Sequence, residues 1–492
     1  MPHIKAFRNP IIPGFNPDPS CILVDDTYYL VTSSFLYTPG IPVYTSKDLV
    51  HWTQIGNVIT RPSQLSLAKC TIRPGTKNCG GVWAPTIRHH EGTFYVCATC
   101  VFPDKEFSDH SRWENIIWKT SDPYAYDAWS DGVGFYFPGY DTSLFWDDDQ
   151  PAGTVYIQGS TYWRVQEGIS QVLINLETGQ SLTGPPKEMS TYSGGATHVQ
   201  ERWVVLSLDR RRWHRARPLR DDCTLQRCAQ GCILSNGHAD IFQTLEGDWF
   251  AVALTTRDGR VNFPMGRETV LIPGAWPAGG WPSFRSPVES VMGGGTESEL
   301  ELLPTIHENV LAGFGSGRRG QYWPHGLLRL RNPDERCYAV EDGRLVLGPS
   351  SRGDILGGAL GSPTFVGRRQ TAVECTSEIE LVVGADTVGG VSVYLDFQDH
   401  FDLVLSSTTT KLRCGERVVA SDVDVDGGAV WVRVVAQTDA FRFFVRSGQN
   451  EWKRVGHGAA RAVSAGFTGV LIGPFAESGR GEVEVRTWTY VE

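Results

Sequence analysis

Asp25–Ser34 (DDTYYLVTSS) is the first of five copies of one pattern, in which an acidic or glycine turn leads into a strand that begins with paired aromatic or β-branched residues. Consecutive pairs lie 46 to 66 residues apart, a spacing too long for a solenoid of helix pairs but suited to four-stranded blades around a channel. The sequence therefore predicts an all-β fold that begins with a five-bladed β-propeller. The other copies are Glu91–Cys100 (EGTFYVCATC), Ala152–Thr161 (AGTVYIQGST), Gln200–Asp209 (QERWVVLSLD) and Glu246–Thr255 (EGDWFAVALT).

A second domain is expected because 492 residues exceed what one hydrophobic core usually supports. We predict the propeller over residues 1–300, a glycine-rich linker over 301–320 and a β-sandwich over 321–492. The sandwich is predicted from short alternating segments with no helical period. These segments are Arg344–Leu347, Glu374–Val383, Gly390–Phe397, Phe401–Ser406, Val430–Gln437, Phe441–Arg446 and Glu482–Val491.

Charge and hydropathy exclude several classes of partner. The net charge is −10, and outside one arginine-rich segment described below there is no long basic run that would attract nucleic acid. The N-terminal segment lacks the apolar core of a signal peptide, and no stretch of about 18 apolar residues is present to cross a membrane. We expect a cytoplasmic protein that binds a small neutral molecule, with its oligomeric state left open.

Metal and cofactor sites are weakly indicated. Eleven cysteines are an odd number without framework spacing, which favours buried free thiols over disulfides or zinc ligands. Asp422–Gly427 (DVDVDG) resembles the start of a calcium loop, but Arg433 stands where a bidentate carboxylate is needed. That segment is therefore predicted to be a hairpin turn. No cofactor is expected, and a structural calcium ion is left open.

Two carboxylates occupy related places in the repeat. Asp18, Ala84 and Ala239 each precede an aromatic pair by ten residues, where the inner strand of a blade should begin, and Asp141 precedes its pair by fourteen. Inner strands of different blades converge at the channel mouth, so side chains distant in sequence meet there. Asp18 and Asp141 are therefore predicted to form a pair.

The surroundings of Asp18 favour sugar chemistry. Two prolines flank it in Gly14–Ser20 (GFNPDPS) and remove backbone donors, which leaves a stiff and exposed carboxylate. Phe35 and Trp83 are predicted near the same mouth. Sugar C–H faces pack on aromatic rings, while carboxylates act on water and on the glycosidic oxygen. Together these residues indicate a carbohydrate site.

Six segments in order resemble the motif set of glycoside hydrolase family 43: NPIIPGFNPDPS, TSSFLYTPGIPVYTSKDLVHW, GGVWAP, DTSLFWDDD, GHADIFQTLEGDWFAV and GRETVLIP. The resemblance is greatest to β-xylosidases and α-L-arabinofuranosidases with a C-terminal β-sandwich. It implies an inverting hydrolase in which Asp18 is the general base. It also implies that Asp141 orients the general acid and raises its pKa. The residues implied to hold and flank the substrate are His238, Arg267, Phe35 and Trp83.

One motif of the family is broken. Where the family has Glu-Gly-Pro-His, with the glutamate as general acid, this chain has Gly194–Val199 (GGATHV). Aligning His198 with the motif's histidine puts Gly195 in the place of the glutamate, whereas a short deletion after Thr197 would remove that position altogether. Glu188 and Glu201 are the nearest glutamates, and neither is favoured as a replacement. Eight arginines follow between residues 202 and 227. A reading-frame or splice error in the gene and a diverged blade without an acid both account for this segment.

The sequence leaves two functions open. The first is an exo-acting β-xylosidase or α-L-arabinofuranosidase on oligosaccharides, impaired by the missing acid. The second is a carbohydrate-binding pseudoenzyme, and a propeller scaffold for protein partners is weaker because it would not need the carboxylates and aromatic walls. The short linker further predicts that the sandwich packs on the propeller and narrows the pocket.

Overall fold

The structure, a computed structural model, describes residues 6–73, 76, 78–147, 150–161, 168–190, 198–199, 233–257, 263–278, 280, 282–284, 290–292, 306–314, 323–350, 360–406, 409–414, 417–421 and 428–492. Within these ranges the fold is all-β, and its helices are single 3₁₀ turns. None of the described helices is long and apolar enough to cross a membrane. The 3₁₀ turns are His110–Arg112, Val310–Gly313, Glu335–Cys337 and Ala460–Val463.

The N-terminal part is a propeller-like arrangement of antiparallel sheets, here called blades, in which each strand pairs with the next along the chain. The innermost strands of neighbouring blades contact each other. From the innermost strand outward, the blades are Ser20–Val24, Thr27–Val31, Gly40–Ser46 and Thr53–Ile59 (first blade); Gly81–His90, Thr93–Val101, Trp113–Thr120 and Val133–Phe135 (second blade); Gly139–Trp146, Val155–Thr161, Ile169–Leu173 and Lys187–Ser190 (third blade); and Ile233–Gln243, Trp249–Arg257, Glu268–Ala275 and Ser283–Phe284 (last blade).

The repeat in the sequence marks the second strand of every blade, because its turn joins the innermost strand to the strand that begins with the aromatic pair. The described residues form four blades rather than the five predicted. The remaining copy, Gln200–Asp209, lies outside the described residues. Two short pairs complete this part: His198–Val199 lies parallel to the innermost strand of the last blade, and Ala6–Arg8 pairs with Ser290–Met292.

Each described innermost strand has, within it or just before it, one non-glycine residue with a positive φ at a related position. The values are 55° at Asp18, 37° at Ala84, 53° at Asp141 and 36° at His238. The expectation that Ala239 occupies the equivalent position in the last blade is therefore wrong by one residue. A left-handed backbone is strained for residues with a Cβ atom, and such strain is concentrated at functional sites.

The strain at Ala84 leads to a stability prediction. Replacing a buried alanine by glycine in a regular strand loses a methyl group and increases the freedom of the unfolded chain, at a cost of about 1.5 kcal/mol. Relief of the left-handed strain is worth about 1–2 kcal/mol, so Ala84→Gly is expected to change the free energy of unfolding by less than about 0.5 kcal/mol. Ala98→Gly, on the neighbouring strand, is the matched control and should cost about 1.5 kcal/mol. Equal losses in denaturant unfolding would contradict the prediction.

The C-terminal part is a β-sandwich of two large sheets, which confirms the predicted second all-β domain. Its core lies between the sheets and contains Trp488, Phe441 and Phe443. The eight-stranded sheet contains His307–Asn309, Tyr338–Glu341, Arg344–Leu347, Cys375–Val383, Val430–Ala436, Ala440–Ser447, Lys453–Ala459 and Val483–Val491. The nine-stranded sheet contains Tyr37–Thr38, Leu327–Leu330, Thr364–Phe365, Gly367–Arg369, Thr387–Tyr394, His400–Leu405, Thr410–Cys414, Arg417–Ser421 and Leu471–Gly479.

The sandwich packs against the propeller, as predicted. Tyr37–Thr38, which follows the second strand of the first blade, joins the nine-stranded sheet by pairing with Leu327–Leu330. The buried hydroxyl of Tyr37 donates to the carbonyl of Leu395 at 3.1 Å. One hydrophobic cluster contains buried side chains of both parts, including Phe35 of the propeller and Phe475 of the sandwich. Domain boundaries at residues 300 and 320 stay a prediction, and His307–Asn309 pairs with the last sandwich strand.

Candidate active site

Asp18 lies at the mouth of the channel and is held by two of the blades. Its Oδ2 accepts a hydrogen bond from Ser33 Oγ at 2.6 Å, and its Oδ1 accepts one from Arg267 Nη1 at 3.1 Å. Ser33 Oγ in turn accepts from the backbone N–H of Ala84 at 2.7 Å. The residue is buried, so the expectation of an exposed carboxylate is wrong. Two donors therefore fix the orientation of a carboxylate whose flanking prolines supply no N–H.

Arg267 comes directly before a strand of the last blade and joins three parts of the site. Besides Asp18, its guanidinium donates through Nε and Nη2 to the carbonyl of Phe467 at 3.3 and 3.1 Å. Its Cζ lies 5.0 Å from the ring centroid of Phe467 and 5.4 Å from that of Phe35. The guanidinium thus lies close to two aromatic rings, an arrangement that fits arginine better than lysine.

Phe467 belongs to a loop of the sandwich, so the second domain contributes directly to the site. The loop lies against the propeller because Gly266 carries no side chain: a Cβ atom there would meet the carbonyl oxygen of Thr468 at 2.4 Å. The backbone N–H of Val470 donates to the carbonyl of Pro264 at 2.7 Å and fixes the same contact. The sandwich therefore lends a loop to the site, and the narrowing of a pocket by that loop stays a prediction.

Three aromatic side chains form a wall beside Asp18. Phe35 stacks on Phe467 with ring centroids 5.9 Å apart, and Trp83 meets both rings at 6.2 and 5.4 Å. Phe35 is positioned by a pair of backbone hydrogen bonds with Val82. Gly81 permits this approach, since a Cβ atom there would lie 2.2 Å from the carbonyl oxygen of Phe35. The indole N–H of Trp83 donates to a backbone carbonyl at 2.9 Å.

Asp141 and His238 form a second polar pair at the same mouth. Asp141 Oδ2 lies 3.5 Å from Nδ1 of His238, and the side chains are only 14% and 8% exposed. Burial alone would lower the pKa of His238, but the hydrogen bond and charge of Asp141, together with the charges of Asp18 and Asp240, raise it above 6.5. Both predicted carboxylates are therefore close enough to act on one histidine.

The raised pKa of His238 makes its contribution to stability dependent on pH. The stabilisation is fully present below about pH 6.5, where the unfolded histidine is also protonated, and it is lost as the pH rises through the higher folded pKa. Replacing His238 by Gln should therefore destabilise the protein most in acid. We expect the difference in free energy of unfolding between wild type and variant to shrink between pH 5.5 and 9. A constant difference would contradict the prediction.

Beneath the site, a buried ion pair connects three blades. Arg88 Nη1 lies 3.0 Å from Asp240 Oδ2, and Ser20 Oγ donates to the same oxygen at 2.5 Å. Asp240 is fully buried. It stands two residues after His238, so the pair anchors the strand that carries the histidine. A buried pair of this kind needs its full set of hydrogen bonds, and Ser20 supplies one of them.

All six residues predicted for the site come together in the structure, at one end of the propeller. Their catalytic and binding roles stay predictions, as does the expectation that the carboxyl groups of Asp18 and Asp141 lie within about 10 Å of each other. Gly195 and Glu201 lie outside the described residues, as do the arginine-rich segment and Asp422–Gly427. Glu188 is exposed on the outermost strand of the third blade, a position that does not favour it as a replacement acid.

Sequence reasoning missed Ser33 and Phe467. Ser33 follows the second strand of the first blade, two residues before Phe35. The predicted convergence of the blades was the signal that could have indicated Ser33. Phe467 stands in a loop of the second domain, and no motif marked it. Among the described residues, no three His, Cys, Asp or Glu side chains cluster as metal ligands. The site is built from carboxylates, arginine, histidine and aromatic rings.

Two family models match the chain. The model described as glycosyl hydrolases family 43 matches residues 7–206. The model described as the beta xylosidase C-terminal concanavalin A-like domain matches residues 320–490. The first match covers Asp18, Phe35, Trp83 and Asp141, and the second covers the loop that carries Phe467.

Similar proteins extend over nearly the whole chain. A non-reducing end alpha-L-arabinofuranosidase of Bacteroides ovatus is 30% identical, over 97% of this chain and 92% of that protein. A xylosidase/arabinosidase of Butyrivibrio fibrisolvens is 26% identical, with 96% of each chain covered. Among solved structures, a xylan beta-1,4-xylosidase of Bacillus halodurans has a TM-score of 0.79 at 22% identity, over 99% of this chain and 100% of that one. This last likeness shows the fold.

Proposed function

Because the chain belongs to glycosyl hydrolases family 43, we propose that it acts on O-glycosidic bonds at the non-reducing ends of xylose- or arabinose-containing oligosaccharides, with inversion. The observation that carries the proposal is the carboxylate of Asp18, oriented by Ser33 and Arg267 against an aromatic wall. The named activities of the similar proteins from Bacteroides ovatus and Butyrivibrio fibrisolvens support the substrate class.

In this proposal Asp18 is the general base. An inverting glycosidase uses one carboxylate to take a proton from water as the water attacks the anomeric carbon, and an acid on the opposite face protonates the leaving oxygen. The hydrogen bonds from Ser33 and Arg267 hold both oxygens of Asp18 in place, so little reorganisation is needed as the water loses its proton. Arg267 also balances the negative charge of Asp18 in a buried position.

Asp141 and His238 are proposed to act on the general acid and on the substrate. Asp141 is proposed to orient the acid and to raise its pKa through like charge. Nδ1 of His238 lies 3.5 Å from Oδ2 of Asp141, and the histidine is proposed to contact substrate hydroxyls. The proposed propeller has five blades, and its fourth blade is the one that would place an acid opposite Asp18.

Phe35, Trp83 and Phe467 are proposed to enclose the terminal sugar. The three rings pack against one another, two of them contact Arg267, and one of them comes from the sandwich. A pocket closed by a second domain admits a chain end more readily than the middle of a chain. This geometry supports exo action.

The missing glutamate divides this proposal from its alternative. Because Gly195 stands where the acid belongs, we propose an impaired enzyme that retains the base and the binding walls. The alternative is a pseudoenzyme that binds the same sugars without cleaving them. Both share the pocket and differ only in whether Asp18 still drives attack by water.

The test incubates the full chain with 4-nitrophenyl β-xyloside and 4-nitrophenyl α-L-arabinofuranoside and measures xylobiose binding by calorimetry. Cleavage of one aryl glycoside, with a product of inverted anomeric configuration by NMR, supports the enzyme. Binding of xylobiose without aryl cleavage would replace the enzyme by the pseudoenzyme. Neither binding nor cleavage would overturn both.

A further inference from the structure

A large groove lies beside the second and third blades, apart from the residues assigned to catalysis. Its volume is about 1170 Å³, which exceeds the roughly 300–1,000 Å³ typical of small-molecule pockets. The floor includes Trp113 and Asn115 of the second blade, and Gln180 comes from a loop of the third blade. The groove therefore has room for more than one sugar ring.

Part of the groove lining lies at the same level of the second blade as the active-site wall. A row of directly paired residues crosses the second blade from its innermost to its outermost strand: Trp83, Thr99, Asn115 and Phe135. Trp83 forms the active-site wall, whereas Asn115 and Phe135 line the groove. Paired residues of the second blade at the level of Trp83 therefore extend from the active site to the groove.

Aromatic rings lie between the active site and the groove. The ring of Tyr140, next to Asp141, lies 6.1 Å from Trp83 on one side and 5.3 Å from Trp113 on the other. Tyr136 continues the series at the rim, where its side chain is 56% exposed. An exposed ring costs little to cover, and a sugar face is a natural partner for it.

Polar side chains, including charged ones of both signs, line the groove together with these rings. Lys105 and Lys69 carry positive charge, Glu114 carries negative charge, and Gln180 supplies an amide. Lys105 Nζ is held by the carbonyl of Ser111 at 2.7 Å. Rings with scattered donors and acceptors, and no dominant charge, suit a neutral hydroxylated chain better than an ion.

We propose that this groove binds the outer part of a longer pentose oligosaccharide whose non-reducing end occupies the active site. The class of sugar rests on the proposed function, while the position of the groove rests on the structure of the second blade. The groove favours long chains over disaccharides, and Tyr136 provides the ring on which one sugar stacks.

The test compares binding of xylohexaose and 1,5-arabinohexaose with binding of the corresponding disaccharides, by calorimetry on the full chain carrying Asp18→Asn to stop turnover. At least one hexaose should bind more tightly than its disaccharide. Tyr136→Ala should weaken that hexaose about 3- to 10-fold and leave the disaccharide unchanged. Tyr124→Ala is the matched control, because Tyr124 is 53% exposed beyond the opposite end of the same blade and should change neither.

The outcomes separate the groove from the proposed function. Disaccharide binding with no gain for either hexaose would overturn the groove and leave the function standing. Equal effects of Tyr136→Ala on hexaose and disaccharide, or of Tyr136→Ala and Tyr124→Ala on the hexaose, would also overturn it. Hexaose binding that depends on Tyr136 supports the groove even if aryl glycosides are not cleaved.

Discussion

Replacing Asp18 by Asn is expected to lower kcat/KM for 4-nitrophenyl xyloside or arabinofuranoside about 10²- to 10⁴-fold. The amide keeps the size of the side chain and still offers an oxygen to Arg267 or Ser33, but it cannot take a proton from water. The loss should therefore appear mainly in kcat, with little change in the affinity for xylose. Steady-state kinetics and calorimetry on the same preparation measure both quantities.

Asp25→Asn is the matched control for this substitution. Asp25 also has a positive φ, 53°, but it lies exposed in the turn between the first two strands of the first blade. The same chemical change there should leave kcat/KM within about twofold, since a solvated turn carboxylate contacts no substrate. An Asp18→Asn protein that melts like wild type and keeps more than a tenth of its activity would remove Asp18 from the role of base.

The missing acid should separate substrates by the quality of their leaving group. A nitrophenolate leaves without protonation, whereas a sugar hydroxyl needs it, and general acid catalysis contributes about 10²- to 10⁴-fold. We therefore expect weak cleavage of aryl glycosides and little or no cleavage of xylobiose. Inserting Pro-Glu-Gly-Pro between Thr197 and His198 should restore xylobiose cleavage by a factor in that range.

Insertion of Pro-Gln-Gly-Pro at the same point is the control, because it supplies the same backbone and shape without an ionisable carboxyl. It should bind sugars like the glutamate version and cleave xylobiose no faster than the original chain. If the original chain already cleaves xylobiose as fast as the aryl substrate, an acid is present. Kinetics of Glu188→Gln and Glu201→Gln would then identify it.

The sequence predicted strands well wherever turn residues were followed by an alternating pattern of apolar residues. Glu91–Gly92 and Glu246–Gly247 are followed by strands in which apolar residues recur, and both segments form the expected hairpins. Leu471–Gly479 was not predicted, although it pairs with Thr387–Tyr394 in the sandwich. It contains Gly473 and Pro474, which are signals against a strand. Tertiary pairing overrides those local preferences.

The active site was predictable to the extent that it follows the blade repeat. Asp18 and Asp141 were found because equivalent strand starts converge, and His238 and Arg267 were found through motifs. The contact between Arg267 and Phe467 spans 200 residues and two domains. No periodicity within either domain encodes such a contact, because it depends on how two finished surfaces meet.

The hydrophobic cluster shared by propeller and sandwich has a consequence for how the chain folds. Phe15, Phe35 and Tyr37 of the first blade are buried together with Leu328, Phe365 and Phe475 of the sandwich. A truncated chain lacking the sandwich would expose one side of that cluster to water, together with the unpaired edge of Tyr37–Thr38. Unfolding of either domain therefore removes the packing of the shared cluster and destabilises the other domain. Calorimetric unfolding should follow a single cooperative transition, and the sandwich should not be transferable to another protein as an independent module.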